Sequence, residues 1–535
     1  MHRAYPGERS AITGADALIE SLRVNGVRHV FGIPSTHTLE IYRALGRAPD
    51  IAHITTTHEQ GAAFMADGYA RVTGSPGVCL ITTGPGVTNA ATAIAEAYSD
   101  SVPVFCITAH IPSEDIGRGR GHSHELRSQE SVLEGISDRP RLVLSPDEVA
   151  QAVCDAFRRF RTERPRPVCL AIPVDVQEAA TSAPVPAAPA EDPPAPDGDA
   201  VGRACRLLGS AAAPAIVAGG GAQGAVEEVL AIAERLDAPV ATTLNGKGVV
   251  PGGHPLEASL VVYSAVARFL EGCDVVLAVG TELSPADFWL GPLQLGGKLV
   301  QIDIDRDQIG RNHPVDAAVV GEAGTALAMM LDSVAGSSPR AGAARAAHVR
   351  DAAEKEALVM GRTYLPWIRA LRSAMPEESS LALDVAMVAG FGAFPFYDLP
   401  GPRTWINPSG LATLGYALPA AIGAKIARPD RAVAALVGDG GFMFTMSELM
   451  VAAQHRLALP VVIWNDRAFG EISRLMRERG FEPFATDLAV PDLATLASAY
   501  GAAWARADEP PDLADAVEVA LAADGPTLIE VPAWS

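Results

Sequence analysis

Short apolar runs rich in Val, Ile and Leu recur along the chain, separated by longer stretches in which apolar residues follow helical spacing. Buried parallel strands are continuous apolar runs, and the helices that connect them are amphipathic. The alternation therefore predicts an α/β protein built from parallel sheets with helical crossovers. The runs that we predict as strands are HVFGIP, HITTTHE, GVCLITTGPG and PVFCITA, then PAIVAGGG, PVATTLN, VVLAVGTEL and KLVQIDID, and finally LALDV, RAVAALVGDG, PVVIWND and TLIEVPA.

Two stretches interrupt this alternation. The segment from Glu178 to Ala200 is rich in Pro, Ala and acidic residues, and the segment VAGSSPRAGAARAAH from Val334 lacks apolar periodicity. Such compositions are typical of linkers. Because 535 residues exceed what one core usually holds, we predict three doubly wound parallel-sheet domains, at 1–180, 198–335 and 355–535.

Charge and cysteine content exclude several classes of partner. A formal charge of −21 opposes binding to nucleic acid or to anionic membranes. No run of eighteen or more apolar residues predicts a membrane span, and the N-terminus has no signal-peptide core. The cysteines form no C-x-x-C pair, which predicts reduced core thiols and a cytoplasmic protein. They are Cys79, Cys106, Cys154, Cys169, Cys205 and Cys273.

Two aspartates each follow an apolar strand in the stretch LVGDGGFMFTMSELMVAAQHRLALPVVIWNDRAFG. Asp439 follows the first strand and Asp466 the second, with a helical segment between them. In a βαβ crossover both strands end at the same sheet edge, so the two carboxylates are expected to converge. For either residue alone, capping a turn or a helix is an alternative; the pair favours a ligand site.

Glycines surround the first of these aspartates. Gly438, Gly440 and Gly441 would allow a ligand to approach the backbone closely, and a helix predicted from about Phe444 would offer free N–H groups to a phosphate. Two carboxylates beside a phosphate require a cation between them, and Mg²⁺ prefers such oxygen ligands. The stretch therefore predicts a metal and diphosphate site.

The order G-D-G, helix, strand and N-D resembles the diphosphate motif of thiamin diphosphate (ThDP)-dependent enzymes. HEQGAAFMADGYAR, TTGPGVTNA and GLATLGYALPAAIGAKIA are similar to three further motifs of that family, in family order. The resemblance implies a pyrimidine-binding, a central and a diphosphate-binding domain. It also implies ThDP bound between the first domain of one subunit and the third of another, hence a homodimer at least; we expect a homotetramer.

The resemblance assigns roles to individual residues. Glu59, which ends the predicted strand ITTTHEQ, would face N1′ of the cofactor's pyrimidine and activate it. Leu414 would impose the bent cofactor conformation, and Thr413 would offer a carbonyl to the 4′-amino group. The other positions assigned to the cofactor are Pro34, Thr83, Gly84, Asn89, Asn407, Gly438, Gly440, Gly441, Phe442, Phe469 and Gly470.

The same resemblance gives a metal-ligand set. Asp439 and Asp466 would bind Mg²⁺ through their carboxylates, and Ala468 through its carbonyl. Many members of the family have Asn where this chain has Asp466. The change adds a charge and keeps an oxygen ligand, so metal binding is expected to survive.

Three further polar residues are candidates for catalysis. His37 matches a histidine that benzaldehyde lyase uses in a proton relay, and His124 lies in a loop where acetohydroxyacid synthases place a glutamine. Asp287 lies near the position of a catalytic histidine of benzoylformate decarboxylase. A single histidine in a loop is more often a solvated surface residue, so this alternative remains open for both histidines.

The segment GGGAQG, from Gly219 to Gly224, fits the G-x-G-x-x-G pattern of dinucleotide sites. The strand after it, PVATTLN, lacks the acidic residue that binds a ribose, so we favour a structural role. Acetohydroxyacid synthases bind FAD through this domain, but their flavin motifs are missing here. FAD is therefore not expected.

The resemblance implies a reaction class. ThDP and Mg²⁺ would decarboxylate a small 2-oxo acid through an enamine and release an aldehyde. The nearest subgroup is acetolactate-synthase-like and includes 5-guanidino-2-oxopentanoate decarboxylase; a cationic substrate tail would fit if Glu282 and Asp287 face the pocket. Alternatives are a carboligase or C–C lyase that handles a 2-hydroxy ketone, and a non-catalytic scaffold. The arginine and tryptophan with which acetohydroxyacid synthases select their second substrate have no evident match in this chain, where GEISRLM follows Phe469.

Overall fold

The computed structural model of the protein describes residues 12–289, 291, 293–334 and 340–533. It contains three six-stranded sheets. Neighbouring strands in all three sheets are parallel. The predicted fold class is confirmed, and every run that we predicted as a strand contains one. The predicted domain limits remain predictions.

The chain forms two compact units. The first runs to Glu191, except for Arg71–Thr73 and Thr162–Arg164, which belong to the second unit together with the residues from Asp192 onward. The first unit contains one sheet and the second contains two. In the described part of the chain, each helix is too short or too polar to span a lipid bilayer, and each cysteine is a free thiol.

The sheet of the first unit has the strand order β2-β1-β3-β4-β6-β5. In its core, Phe157 of a covering helix packs edge-on against Phe105 of the sheet, with 5.7 Å between the ring centroids. The strands are β1 His29–Gly32, β2 Ala52–Thr55, β3 Gly77–Ile81, β4 Val104–His110, β5 Arg141–Leu142 and β6 Val168–Pro173. The helices are α1 Gly14–Val24, α2 Leu39–Leu45, α3 Glu59–Thr73, α4 Pro85–Asp100, α5 Gln129–Ile136, α6 Val149–Thr162 and α7 Val174–Glu178.

The second sheet has the order β12-β11-β10-β7-β8-β9. Its strands are β7 Pro214–Ala218, β8 Val240–Thr242, β9 Glu257–Leu260, β10 Val275–Val279, β11 Lys298–Asp303 and β12 Ala317–Val320. The helices of this part are α8 Gly198–Ser210, α9 Val226–Leu236, α10 Ser264–Glu271, α11 Ala323–Ser333 and α12 Gly342–Gly361.

The glycines of GGGAQG lie against a second loop of this sheet. A Cβ atom on Gly219 would be 2.4 Å from the carbonyl oxygen of Gly280, and one on Gly221 would be 2.8 Å from the Cα atom of Gly280. The two loops pack too closely for any side chain there, which is a sufficient structural reason for the glycines. The G-x-G-x-x-G pattern therefore carries no argument for a dinucleotide.

The third sheet has the order β14-β13-β15-β16-β18-β17. Its strands are β13 Ser379–Leu383, β14 Trp405–Ile406, β15 Ala432–Gly438, β16 Leu459–Asn465, β17 Ala503–Arg506 and β18 Pro526–Pro532. The helices are α13 Leu365–Ala374, α14 Phe394–Phe396, α15 Ala417–Ala427, α16 Asp439–Thr445, α17 Leu449–Gln454, α18 Gly470–Glu478, α19 Leu493–Tyr500 and α20 Pro510–Leu521. Because Gly438 pairs with Trp464, β15 and β16 end at one edge.

Candidate active site

Asp439 and Asp466, called here the aspartate pair, meet at the carboxyl edge of the third sheet. Asp439 directly follows β15, and Asp466 directly follows the adjacent strand β16. One carboxylate oxygen of buried Asp439 accepts a hydrogen bond from the N–H of Gly440 at 2.8 Å, while its Oδ2 is buried without a hydrogen-bond partner. Oδ1 of Asp466 accepts the N–H of Ala468 at 3.2 Å.

The electrostatics of the aspartate pair favour a bound cation. Burial and then the charge of Asp466 raise the pKa of Asp439 to about 6, and burial raises the pKa of Asp466. Within the described ranges, no group of three or more His, Cys, Asp or Glu side chains is arranged to hold a metal. Two carboxylates with an unpaired buried oxygen fit Mg²⁺, whose remaining ligands would be carbonyl, water or phosphate oxygens.

The helix beside the aspartate pair begins earlier than we predicted. α16 starts at Asp439 rather than near Phe444, with Gly438 in an extended conformation as its N-cap residue. An acidic residue in the first turn is favoured by the helix dipole, which offsets the low helix propensity of Gly440 and Gly441. The first turn therefore lies directly at the aspartate pair, and the helical path changes to a 3₁₀ turn at Met446–Glu448.

Asp384 is a buried acid that our sequence analysis did not single out. It follows β13 and accepts hydrogen bonds from the N–H groups of Val385 at 2.9 Å, Gly415 at 3.0 Å and Ala417 at 3.1 Å. Burial outweighs these bonds and raises its pKa to about 6. A Cβ atom on Gly441 would lie 2.6 Å from its Oδ1. Asp384 thus joins the segment after Leu414 to the first turn of α16.

Replacing Asp384 by Ala is expected to weaken ThDP binding. The buried N–H groups of Gly415 and Ala417 would lose their acceptor, at a cost of about 1–3 kcal/mol for each group left unpaired. The segment carrying Thr413 and Leu414 would thereby lose its anchor. Calorimetric titration with ThDP and Mg²⁺ measures the change. Asp492→Ala is the matched control, because Asp492 also accepts a backbone N–H, that of Thr495, but lies at the exposed start of α19. Equal cofactor affinity in the two variants would contradict this role.

The remaining predicted residues of the third sheet occupy different environments. Asn407 is buried, with its Nδ2 donating to Oγ of Ser409 at 2.7 Å and its Oδ1 lacking a partner. Ala468 forms an isolated bridge with Asp487 that fixes the backbone after Asp466. Phe442 is buried, whereas the half-buried positions are Thr413, Leu414, Phe469 and Gly470.

In the first unit, Glu59 begins helix α3. The prediction that it ends a strand is wrong. β2 ends at Thr55, and His58 caps the helix by accepting the N–H of Gln60 at 3.2 Å. A glutamate in the first turn is favoured by the helix dipole, which explains the earlier end of the strand. Nδ2 of Asn89 donates to Oε2 of Glu59 at 2.9 Å, so Asn89 orients this half-buried carboxylate.

The loop with Thr83 and Gly84 is held by a residue that sequence reasoning missed. The buried Gln129 accepts hydrogen bonds from Oγ1 of Thr83 at 2.7 Å and from the N–H of Gly84 at 3.0 Å. Its own amide donates to the carbonyl of Ala109 at 2.9 Å. This arrangement fixes the entry to α4, whereas Pro34 is exposed.

His37 and His124 lie next to each other in the first unit. Their ring centroids are 4.9 Å apart, and Nδ1 of His124 is 3.5 Å from Oγ1 of Thr82. Burial, then the charges of His124 and His122, lower the pKa of His37. A Cβ atom on Gly86 would lie 2.9 Å from Cγ2 of Thr82 and 3.4 Å from Oε1 of Glu59. The histidine pair and Glu59 therefore share one edge of the sheet.

Asp287 and Glu282 both have partners in the second unit. Asp287 accepts hydrogen bonds from the N–H and the Oγ of Ser284, at 3.0 and 3.2 Å, and so closes a capping box around the 3₁₀ turn Pro285–Asp287. Oε1 of Glu282 pairs with Nη2 of Arg164 at 3.0 Å. These contacts give both acids structural functions; a catalytic role for Asp287 stays a prediction.

Comparison with known proteins identifies the family. Three family models match the chain: the N-terminal TPP binding domain of thiamine pyrophosphate enzymes at residues 12–132, their central domain at 201–330 and their C-terminal TPP binding domain at 389–531. The protein belongs to the thiamine pyrophosphate (thiamin diphosphate)-dependent enzymes.

Individual relatives cover almost the whole chain. It is 39% identical over 531 residues to the Pseudomonas aeruginosa protein named "Probable 2-ketoarginine decarboxylase AruI", with 98% of this chain and 94% of the relative covered. It is 31% identical to the "Probable acetolactate synthase large subunit" of Methanocaldococcus jannaschii, with 97% and 91% covered. It is 32% identical to the Escherichia coli "Acetolactate synthase isozyme 1 large subunit", with 86% and 83% covered.

Proposed function

We propose that the protein is a ThDP- and Mg²⁺-dependent decarboxylase of a 2-oxo acid that releases an aldehyde. The aspartate pair carries the proposal, because two converging carboxylates with raised pKa values and an unpaired buried oxygen suit a divalent cation beside a diphosphate. The name of the relative at 39% identity supports decarboxylation as the reaction.

Asp439 and Asp466 would hold Mg²⁺ together with the carbonyl of Ala468. When bound, ThDP supplies the sink for the electron pair that remains when CO₂ leaves the substrate. Glu59 would hold and release a proton at its carboxyl oxygen, towards N1′ of the cofactor's pyrimidine, in an orientation set by Asn89. Leu414 and Thr413 would support the cofactor from the segment that Asp384 anchors.

The His37 and His124 pair would move the proton that completes an aldehyde. The pKa of His37 is lowered by burial and by its histidine neighbours, so His37 is mainly neutral at pH 7. A neutral imidazole can take a proton from solvent and pass it on, and the contact of 4.9 Å between the ring centroids couples the two side chains. Both histidines therefore belong to the proposed catalytic group.

Affinity for Mg²⁺ is expected to depend on pH. The pKa of Asp439 in the cation-free protein is about 6, above the ordinary value of 3.8. Between about pH 3.8 and pH 6, Asp439 is therefore more often protonated in the native state than in the unfolded state. Without Mg²⁺, the free energy of unfolding consequently falls as the pH rises through this range, and above it the free energy levels off. Metal competes with the proton, so apparent Mg²⁺ affinity is expected to be about tenfold lower at pH 5 than at pH 7. Calorimetric titrations with Mg²⁺ at pH 5 and at pH 7 measure this difference. Equal affinities at the two pH values would contradict it.

A carboligase is the second candidate. The acetolactate synthase relatives favour it, since that reaction joins a decarboxylated 2-oxo acid to a second carbonyl compound. Product analysis separates the two: the protein with ThDP and Mg²⁺ is incubated with pyruvate and with aromatic and basic 2-oxo acids, and products are identified by mass. Aldehyde as the sole product supports a decarboxylase and a 2-hydroxy ketone supports a carboligase. Absence of CO₂ release from every substrate, with no ThDP binding, would favour a non-catalytic scaffold.

We further propose a cytoplasmic homodimer at least, with a homotetramer as the expected form. Large apolar side chains near the cofactor segments are exposed in the single chain: Leu411 by 48%, Phe444 by 56% and Phe484 by 81%. Such exposure favours cover by a second copy. Sedimentation analysis with and without cofactor tests the assembly, and a monomer at micromolar concentration in both conditions would contradict it.

A further inference from the structure

A buried carboxylate contacts the loop that carries His124 of the histidine pair. Asp115 closes the 3₁₀ turn Ser113–Asp115 just after β4, and its side chain is only 7% exposed. Its Oδ2 is hydrogen-bonded to Nε2 of His122 at 2.7 Å. Its Oδ1 is buried without a properly aligned hydrogen bond. Leaving a carboxylate oxygen buried in this way destabilises the fold.

A guanidinium group already occupies this position. Nη1 of Arg120 lies 2.8 Å from Oδ1 of Asp115, so the charges are paired although the N–H is not aligned for a hydrogen bond. The side chain of Arg120 is 54% exposed. Because Arg120 is largely in contact with solvent while Asp115 is buried, the guanidinium of another molecule could take the place of the Arg120 guanidinium at Asp115.

The segment that carries Arg120 is rich in glycine and uncrowded. Gly117, Gly119 and Gly121 all have positive φ angles, and a Cβ atom on any of them would meet no atom within 4 Å. Backbone hydrogen bonds hold this segment on both sides of Arg120: the N–H of Arg118 donates to the carbonyl of Asp115 at 3.1 Å, and Glu125 accepts the N–H groups of Gly121 at 2.6 Å and His122 at 2.9 Å. The largely exposed side chain of Arg120 can therefore leave Asp115 by rotation about its own bonds, while the backbone and His122 stay in place.

The location suits the far end of a substrate. His122 contacts Asp115 and is only two residues before His124 in the same loop. His37 stacks on His124, which reaches Thr82 and the neighbourhood of Glu59. A path of adjacent side chains thus leads from the proposed catalytic group to Asp115, all within the first unit.

We propose that Asp115 binds the guanidinium tail of a guanidino 2-oxo acid and that Arg120 occupies the same site until the substrate arrives. The inference rests on the proposed decarboxylase function. A planar guanidinium matches a carboxylate with two parallel N–H donors, which Arg120 does not achieve here. Glu282 and Asp287, the acids that we first considered for a cationic tail, are already engaged with Arg164 and Ser284.

Two substitutions test the proposal in opposite directions. The measured quantity is the ratio of kcat/KM for 5-guanidino-2-oxopentanoate to that for 2-oxooctanoate, an acid of similar length with an uncharged tail. Asp115→Asn is expected to lower the ratio about tenfold or more, the worth of a charge-assisted hydrogen bond. Arg120→Gln removes the competing guanidinium and is expected to raise the ratio. Arg118→Gln, on the same glycine-rich segment, is the control with an unchanged ratio.

Binding of an unreactive analogue gives an independent readout. Calorimetry of 5-guanidinopentanoate with the holoenzyme should show tighter binding to Arg120→Gln and weaker binding to Asp115→Asn than to the wild type. If Arg120→Gln raises KM for every 2-oxo acid, Arg120 binds the substrate carboxylate and the proposal is overturned. An unchanged ratio in both variants, with 2-oxo acids still decarboxylated, overturns it while leaving the proposed function intact. No CO₂ release from any 2-oxo acid overturns the proposed function itself.

Discussion

Glu59→Gln is expected to abolish most turnover while ThDP binding stays largely intact. The amide keeps the shape of the side chain and its contact with Asn89, but it cannot exchange a proton with the pyrimidine ring. Loss of a proton-transfer group lowers rates about 10²- to 10⁴-fold. Steady-state CO₂ release and calorimetric ThDP titration of the same preparation measure both quantities.

Glu40→Gln is the matched control for this substitution. Glu40 is another helix-opening glutamate of the first unit, but it pairs with Arg43 at 2.6 Å, and we assign it no role in the reaction. Its turnover should stay close to that of the wild type. Wild-type turnover in Glu59→Gln would overturn the role assigned to Glu59.

Asp439→Asn is expected to weaken Mg²⁺-dependent ThDP binding by about a hundredfold, a loss of roughly 2–3 kcal/mol for a charged ligand group. Without metal the same change should stabilise the protein, because it removes a buried charge that faces Asp466. Opposite signs for cofactor affinity and for cation-free thermal stability distinguish a metal ligand from a residue that only supports the fold.

Asp466→Asn is the control for the metal site. The amide oxygen of Asn is still an oxygen ligand for Mg²⁺, so most Mg²⁺ affinity should remain. Calorimetric titrations with Mg²⁺ and with a chelator, and thermal unfolding of the cation-free protein, give the comparison. Equal losses of affinity in both variants would show that the charge at Asp466 is as necessary as that at Asp439.

The rule that neighbouring parallel strands end at the same sheet edge predicted that Asp439 and Asp466 lie at one edge, and the structure confirms this placement. For Glu59 the predicted strand end was wrong, because β2 ends at Thr55. The same rule applied to LALDV would have found Asp384, and the apolar run VCLAIP would have given β6. Gln129 was beyond this approach, because its partners Thr83 and Gly84 are more than forty residues away.

Local pattern was less informative at element ends and at sheet edges. Two glycines after Asp439 suggested a loop, yet the adjacent strand end and the acidic first turn start the helix there. β5 and β14 have only two residues each, and β9 and β17 read EASL and AWAR, which lack a continuous apolar run. These segments become strands because they pair with neighbouring strands, not because their own sequences favour a strand.

The most direct test of the account is a crystal structure of the protein grown with ThDP and Mg²⁺. We expect an ion about 2.0–2.1 Å from a carboxylate oxygen of each residue of the aspartate pair, with diphosphate oxygens completing its coordination. Density for the coenzyme elsewhere, with no ion between Asp439 and Asp466, would contradict it.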